Sequence, residues 1–519
     1  MLAKVHSAQV VGLKVDLVSV EVDISKGLHS FSIVGLPDKA IQEAEDRISA
    51  AIKNSGFKSP QKGNRKVIVS LAPADVKKEG PIFDLAIAVG YLLAAKEIKF
   101  EPKKVAFLGE LFLNGEVQSI KGALMIARRL AEAGFTELYL PKENAKEAAL
   151  VKNLKVFGIQ NLAELTHHLS PNEEREEKVF APLSAEPPAE ISETETTIDH
   201  LFDMCDVKGQ FSAKRGLEIA AAGGHNLAMS GPPGTGKSML AKAFTSILPD
   251  LNFNQMMEAT GIHSAAGVLG SSLVIRPPLR APHHTASYIS LVGGGAWPKP
   301  GEITLAHKGV LFLDEFPEFD RRVIESLRQP LEDRVIQIAR ARGSMTFPAS
   351  FILIATMNPC PCGHKGVRGK ECICSPMALM KYERKISGPI IDRIDLWVDV
   401  PVVEYEKLSQ KGGGGEASVK IKERVMSARE KQKARAEKLG LQNKSEKLNS
   451  QISAKEIAQL APLSDSCIKL LNSSAKQLDL SARAYHRIIK LARTIADLAN
   501  DTDIKEEHLL EALQYRPKK

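Results

Sequence analysis

Apolar and polar positions alternate with strand period over Val10–Val22, Lys66–Leu71, Val105–Leu108 and Glu137–Leu140. Over Pro37–Asn54, Asp84–Ala95 and Ala123–Ala133 they recur with helical period. Period two predicts half-buried strands and period 3.6 predicts helices, so residues 1–168 read as one α/β domain. Residues 169–200 break the pattern, with nine Asp/Glu against two Lys/Arg and prolines at 171, 182, 187 and 188. Such a stretch has too little apolar surface to order itself and predicts a flexible linker. A second α/β block spans 201–400. Its apolar runs at Asn226–Met229, Val310–Leu313 and Phe351–Met357 have the continuous character of strands buried on both faces. Gly412–Gly415 reads as a loop, and 401–519 as an all-helical domain.

Length and composition narrow the picture. At 519 residues the chain exceeds what one core supports. The 25% charged and 44% hydrophobic content is that of a globular protein. A net charge of +8 permits an anionic partner such as nucleic acid without requiring one. No apolar run is long enough for a membrane helix. The N-terminus alternates like a strand and lacks a leader pattern, so a cytoplasmic location is expected. Four of the six cysteines fall within fifteen residues, which points to a metal site in a reducing compartment.

Between the first strand of the second block and a helical pattern at Met239–Leu248 lies Gly231-Pro232-Pro233-Gly234-Thr235-Gly236-Lys237-Ser238. Glycines at these positions let backbone N–H groups face phosphates. Lys237 reaches the β/γ-phosphates of ATP, and Ser238 ligates Mg2+. About 80 residues on, an apolar strand ends in Asp314-Glu315, where a parallel sheet presents side chains to its ligand crevice. Asp314 is expected in the magnesium shell and Glu315 beside the attacking water. Another strand ends at Asn358, either a γ-phosphate sensor or the turn residue before Pro359.

Loop, acid-ended strand and Asn-ended strand in this order resemble an AAA+ ATPase module. Gly388-Pro389-Ile390-Ile391-Asp392-Arg393-Ile394-Asp395 resembles the arginine-finger segment of magnesium-chelatase-like AAA+ proteins. Leu480-Ser481-Ala482-Arg483-Ala484 resembles their sensor-2 element. With Phe31–Pro37, nearly the whole chain resembles the ComM/YifB family. The resemblance implies a Lon-protease-like N-terminal domain, an AAA+ core, a helical lid and a hexameric ring. It also implies ATP-driven branch migration or helicase activity in recombination or natural transformation. A magnesium- or cobalt-chelatase motor is the alternative. In the ring, Arg393 would act on a neighbour's nucleotide, with Arg384 competing for that role, and Arg483 would contact the γ-phosphate. An ordinary surface ion pair is the alternative for each arginine. Lys77-Lys78-Glu79-Gly80-Pro81-Ile82 resembles the serine segment of Lon-type proteases, but the nucleophile's position holds Ile82. The general-base position falls on Leu124, with Lys121 three residues away, so no proteolysis is expected.

Two further features carry chemistry. Cys360, Cys362, Cys372 and Cys374 form two C-x-C pairs, enough thiolates to close a structural zinc site, with His364 as a possible extra ligand. Residues 334–348 predict a hairpin with Arg340 and Arg342 at its tip, either a grip on DNA phosphates in the ring's pore or a solvated turn. The insert bearing Arg276, Arg280, His283, His284 and Gly293–Gly295 reads as a pore or interface loop. Residues 411–447 hold eleven Lys/Arg against five Asp/Glu, either a solvated face or a nucleic-acid contact.

Overall fold

The computed structural model describes residues 1–61, 64–78, 80–171, 183–187, 202–269, 273–295, 299–340, 343–367, 370–403, 415–440 and 447–517. Most of the acidic linker, Gly412–Gly414, Glu79 and Arg342 lie outside them. The chain forms two compact units. One comprises Met1–Thr196 with Met257–Leu273, the other Thr197–Met256 with Val274–Lys519.

The first unit is built on a seven-stranded mixed sheet. Its order is Ser30–Val34, Arg65–Ala72, Lys14–Lys26, Leu2–Val11, Val105–Phe107, Glu137–Pro141 and Lys155–Ile159. The alternation predicted a strand over Val10–Val22; the structure instead folds Leu2–Val11 back on Lys14–Lys26 with Val11 opposite Lys14. Gly12 makes the reversal, at φ 66°, a left-handed backbone that glycine adopts without steric cost. Alternation continues on both sides of the turn, so period alone cannot locate it. Val5, Val18, Val20 and Val22 point to the face covered by Ala44–Asn54 and Asp84–Ala94. Ala8, Ala106, Leu138 and Leu140 point to the face covered by Ala123–Glu132 and Lys142–Ala148. Residues from Met257 of the helix Phe253–Ala266 belong to this unit, and the Gly122 N–H donates to Ser264 Oγ at 3.0 Å.

Around the protease-like segment, Ile82 lies in the short turn Pro81–Phe83 and packs on the apolar cores. Leu124 is buried and Lys121 is exposed.

The second unit has a five-stranded parallel sheet in the order Leu279–Arg280, Val310–Leu313, Ile352–Met357, Leu227–Ser230, Leu396–Asp399. Parallel strands need crossovers, and helices over both faces bury them. All four residues of Val310–Leu313 are buried, as their apolar run predicts. Val335–Arg340 pairs with Gly343–Pro348 as an antiparallel hairpin with Arg340 opposite Gly343. Beyond residue 415, the described residues form helices, the longest being Ser418–Lys438 and Ala482–Leu498. Ile488, Leu491, Ala492 and Ile495 give the latter an apolar stripe facing the core. Ser481 caps it, accepting from the Ala484 N–H at 3.2 Å.

Candidate functional site

The phosphate loop follows the strand Leu227–Ser230 and opens the helix Lys237–Ala243. Gly231 is confined there, because a Cβ would meet the Val400 carbonyl oxygen at 2.2 Å. Gly236 stands at φ 86° immediately before the helix, a turn that few other residues make cheaply. Lys237 is 8% exposed, and its ammonium donates to the carbonyls of Gly231 at 2.6 Å and Pro232 at 2.7 Å. Its third donor faces Asn358 Oδ1 at 3.4 Å. Burial lowers its pKa, opposed by the charges of Asp314 and Glu315.

Two further strand ends converge on this loop. Ser238 Oγ donates to Asp314 Oδ2 at 2.8 Å. Asp314 Oδ1 accepts from the Thr356 hydroxyl and, at 3.1 Å, from the Glu315 N–H. Hydroxyl and carboxylate oxygens at this spacing are the hard donors that octahedral Mg2+ takes alongside phosphate oxygens and water. Glu315 sits at φ 52°, a left-handed conformation costing about 1 kcal/mol or more for a residue with a side chain. Its N–H is held by both Asp314 and, at 3.3 Å, Thr356 Oγ1, which locks the turn that projects its carboxylate. That carboxylate lies 3.3 Å from His284 Nδ1. Asn358 follows Ile352–Met357 directly, and its carbonyl accepts from the Tyr382 hydroxyl at 3.1 Å.

The arginines lie elsewhere. Arg393 is 8% exposed; it donates to the Pro389 carbonyl at 2.8 Å and pairs with Glu332. Arg483, more than half exposed, reaches the same Glu332 at 3.1 Å. Among the described residues, neither bonds to the loop, Asp314 or Glu315. Arg384 is exposed at the end of the helix Pro376–Glu383. The side chain of Arg340 and the whole of Arg342 lie outside the described residues.

All four loop cysteines come together. Cys360 Sγ is 3.3 Å from Cys362 Sγ and 3.7 Å from Cys372 Sγ, and Cys362 is 3.6 Å from Cys372. Cys374 completes a group with every Sγ within 4.8 Å of the others. A tetrahedron with zinc–sulfur bonds of about 2.3 Å has edges of about 3.8 Å, so the set fits zinc. The His364 backbone N–H holds the Cys362 thiol down to about 6, whereas in Cys372 and Cys374 the loop's backbone hydrogen bonds are outweighed by burial and the neighbouring thiols, which push the thiols up. The His364 ring nitrogens are not in the group.

Sequence reasoning missed Thr356, Glu332 and the placement of His284 against Glu315. Thr356 lies inside an apolar run, where a threonine reads as a strand former. The other two are paired by residues far away in sequence. Only their polar character was visible.

Three family models match the chain. "Magnesium chelatase, subunit ChlI" covers residues 203–408, "Subunit ChlI of Mg-chelatase" covers 20–144, and "Magnesium chelatase, subunit ChlI C-terminal" covers 415–516. The competence protein ComM of Haemophilus influenzae is 42% identical over 517 residues, covering 99% of this chain and 97% of its own. The YifB protein of Escherichia coli is 39% identical over 517 residues, with the same coverage of 99% and 97%. The DNA repair protein RadA of Streptococcus pneumoniae is 32% identical over 90 residues, 17% of this chain and 21% of its own. Family models over both units and full-length identity to ComM and YifB agree with the geometry of loop, strand ends and lid: the chain belongs to the ComM/YifB family of magnesium-chelatase-like AAA+ proteins.

Proposed function

We propose that the chain is a ring-forming ATPase that couples ATP hydrolysis to remodelling of branched or forked DNA, by branch migration or strand separation. The convergence of Lys237, Ser238, Asp314, Glu315 and Asn358 on one loop carries the ATPase part. AAA+ membership implies ATP and Mg2+ as cofactors. Lys237 would exchange its carbonyl partners for β/γ-phosphate oxygens. Ser238 and Asp314 would hold Mg2+, which neutralises charge developing on the phosphates. Glu315 would polarise the attacking water and Asn358 would orient it. Gly231–Gly236 supplies the N–H cradle. Arg393, or Arg384 in its place, would stabilise the transition state from a neighbouring subunit of a hexamer, and Arg483 would meet the γ-phosphate. Cys360, Cys362, Cys372 and Cys374 would hold a structural zinc beside Asn358.

DNA as substrate is supported by relatives called a competence protein and a DNA repair protein. The net charge of +8 and the hairpin arginines 340 and 342 are compatible with it. No helix among the described residues is long and apolar enough to cross a membrane, compatible with a cytoplasmic motor. Ile82 and Leu124 at the protease positions leave the N-terminal unit without an acylating nucleophile or base, so its use lies in assembly or DNA contact. The chelatase names of the family models keep a motor for metal insertion into a tetrapyrrole as the competing reading.

The test is ATP hydrolysis and strand exchange on Holliday-type and forked DNA, with Lys237→Ala and Glu315→Gln as controls. DNA-stimulated turnover is expected, falling about 100-fold or more in either variant. An ATPase indifferent to every DNA offered would rule out the DNA motor.

A further inference from the structure

Two guanidinium groups from separate parts of the second unit meet on one carboxylate. Glu332, in the helix Arg328–Asp333, places Oε2 on Nη2 of Arg393 and Oε1 3.1 Å from Nη2 of Arg483. Arg393 follows the short helix Gly388–Ile391; Arg483 is the second residue of Ala482–Leu498. One oxygen serves each arginine, which is how a phosphate bridges an arginine pair.

Three observations mark this carboxylate as occupying a place suited to another anion. Arg393 is buried to within 8% of its surface, yet its Nε has no partner among the described residues. Two carboxylate oxygens leave that donor unfilled, whereas a terminal phosphate has a third oxygen for it. Glu332 and Arg483 are 45% and 58% exposed, so the pair opens to solvent. Cations also gather near Arg393: Arg334, Arg487, Lys490 and Arg516 all interact with Asp395, two residues further along the chain.

We infer that Glu332 is a built-in stand-in for the terminal phosphate of a nucleotide held by a second copy of this chain, latching Arg393 and Arg483 until that phosphate displaces it. The inference rests on the ring-ATPase reading and goes beyond it by naming an internal competitor for the trans arginines. A second copy is the donor because neither arginine bonds to the loop or acids of its own chain. Glu332 also stands two residues before Arg334, where the backbone turns at φ 58° into the hairpin Val335–Arg340. Its release therefore acts at the base of the element proposed to hold DNA.

The experiment titrates the full chain with a non-hydrolysable ATP analogue and Mg2+, without DNA, and follows ring assembly by mass photometry. Glu332→Gln keeps the shape and removes the competing charge. It should assemble at about tenfold lower analogue concentration than wild type, a shift set by the lost competitor. Arg393→Ala combined with Glu332→Gln should abolish the gain. Glu332→Asp, too short to bridge both arginines, should move assembly in the same direction and guards against a fold defect in the first variant. Analogue affinity of the dilute single chain, read with a fluorescent derivative, should not change. Unchanged or weakened assembly in both variants would overturn the latch and leave Glu332 a structural ion pair. Failure of the wild type to assemble on nucleotide would overturn it too. A protein that assembles as expected but ignores DNA would instead refute the DNA motor and leave the latch standing.

Discussion

Asp395 shows how single side chains tie the nucleotide core to its lid. It lies at the start of the edge strand Leu396–Asp399, accepts from the Asn226 N–H at 3.0 Å, pairs with Arg487 of the lid and lies 3.5 Å from His225 Nδ1. Burial pushes its pKa up, but Arg487, then His225 and the Asn226 N–H, hold the carboxyl well below the usual carboxylate range. A depressed folded pKa contributes stability that is present above the unfolded value of about 3.9 and is lost as pH falls toward the folded one. Asp395→Asn leaves the cations around it uncompensated and should cost about 3–5 kcal/mol at pH 7. Urea unfolding should show that deficit constant from pH 7 to about 5 and shrinking below about pH 4. A pH-independent deficit would point to lost packing instead. At this scale the sequence was readable where residues adjacent in the chain come to one place in the structure, as in the phosphate loop and the acids at 314 and 315. Glu332 was not readable, because its partners follow 61 and 151 residues later.

Among the elements, the loop from Cys360 to Cys374 links the strand end at Asn358 to the helix Pro376–Glu383. Cys360 is wholly buried while the other three cysteines are partly exposed, so a metal there would tie a short surface loop to the core. A loop with so little apolar surface gains order from metal binding rather than burial. Elemental analysis of chain purified without chelator should give about one zinc per chain. Cys360→Ser should lose that metal and lower the Tm by about 5–10 °C, since 1 kcal/mol moves a domain of this size by about 2–4 °C. A metal-free wild type would exclude the zinc site. The N-terminal hairpin teaches the opposite lesson about legibility. Alternation in Val10–Val22 was real, but one glycine at φ 66° divided it into two strands.

For the whole molecule, the proposed catalytic groups fall into two sets, and whether both serve one chain or neighbouring chains of a ring is open to a direct test. Lys237, Ser238, Asp314, Glu315 and Asn358 are linked within one chain, while Arg393 and Arg483 converge on Glu332. If the arginines act across an interface, chains carrying Lys237→Ala and chains carrying Arg393→Ala, each inactive alone, should complement when mixed. Random assembly of equal amounts puts an intact loop beside an intact arginine at about one site in four. Steady-state ATPase should therefore recover to about a quarter of wild type. No recovery would place Arg393 in service of its own chain.

By itself the sequence determined the period of several strands and helices, the phosphate loop, the acid-ended and Asn-ended strands and the four thiols, because each is written in nearby residues with a local physical requirement. Only the tertiary structure decided that Thr356 steadies Asp314, that His284 faces Glu315 and that Glu332 bridges Arg393 and Arg483. It also drew Met257–Leu273 into the first unit, out of the middle of the second α/β block. Those pairings join residues distant in the chain, and long-range contacts follow from how layers pack, which no local pattern of apolar and polar positions encodes.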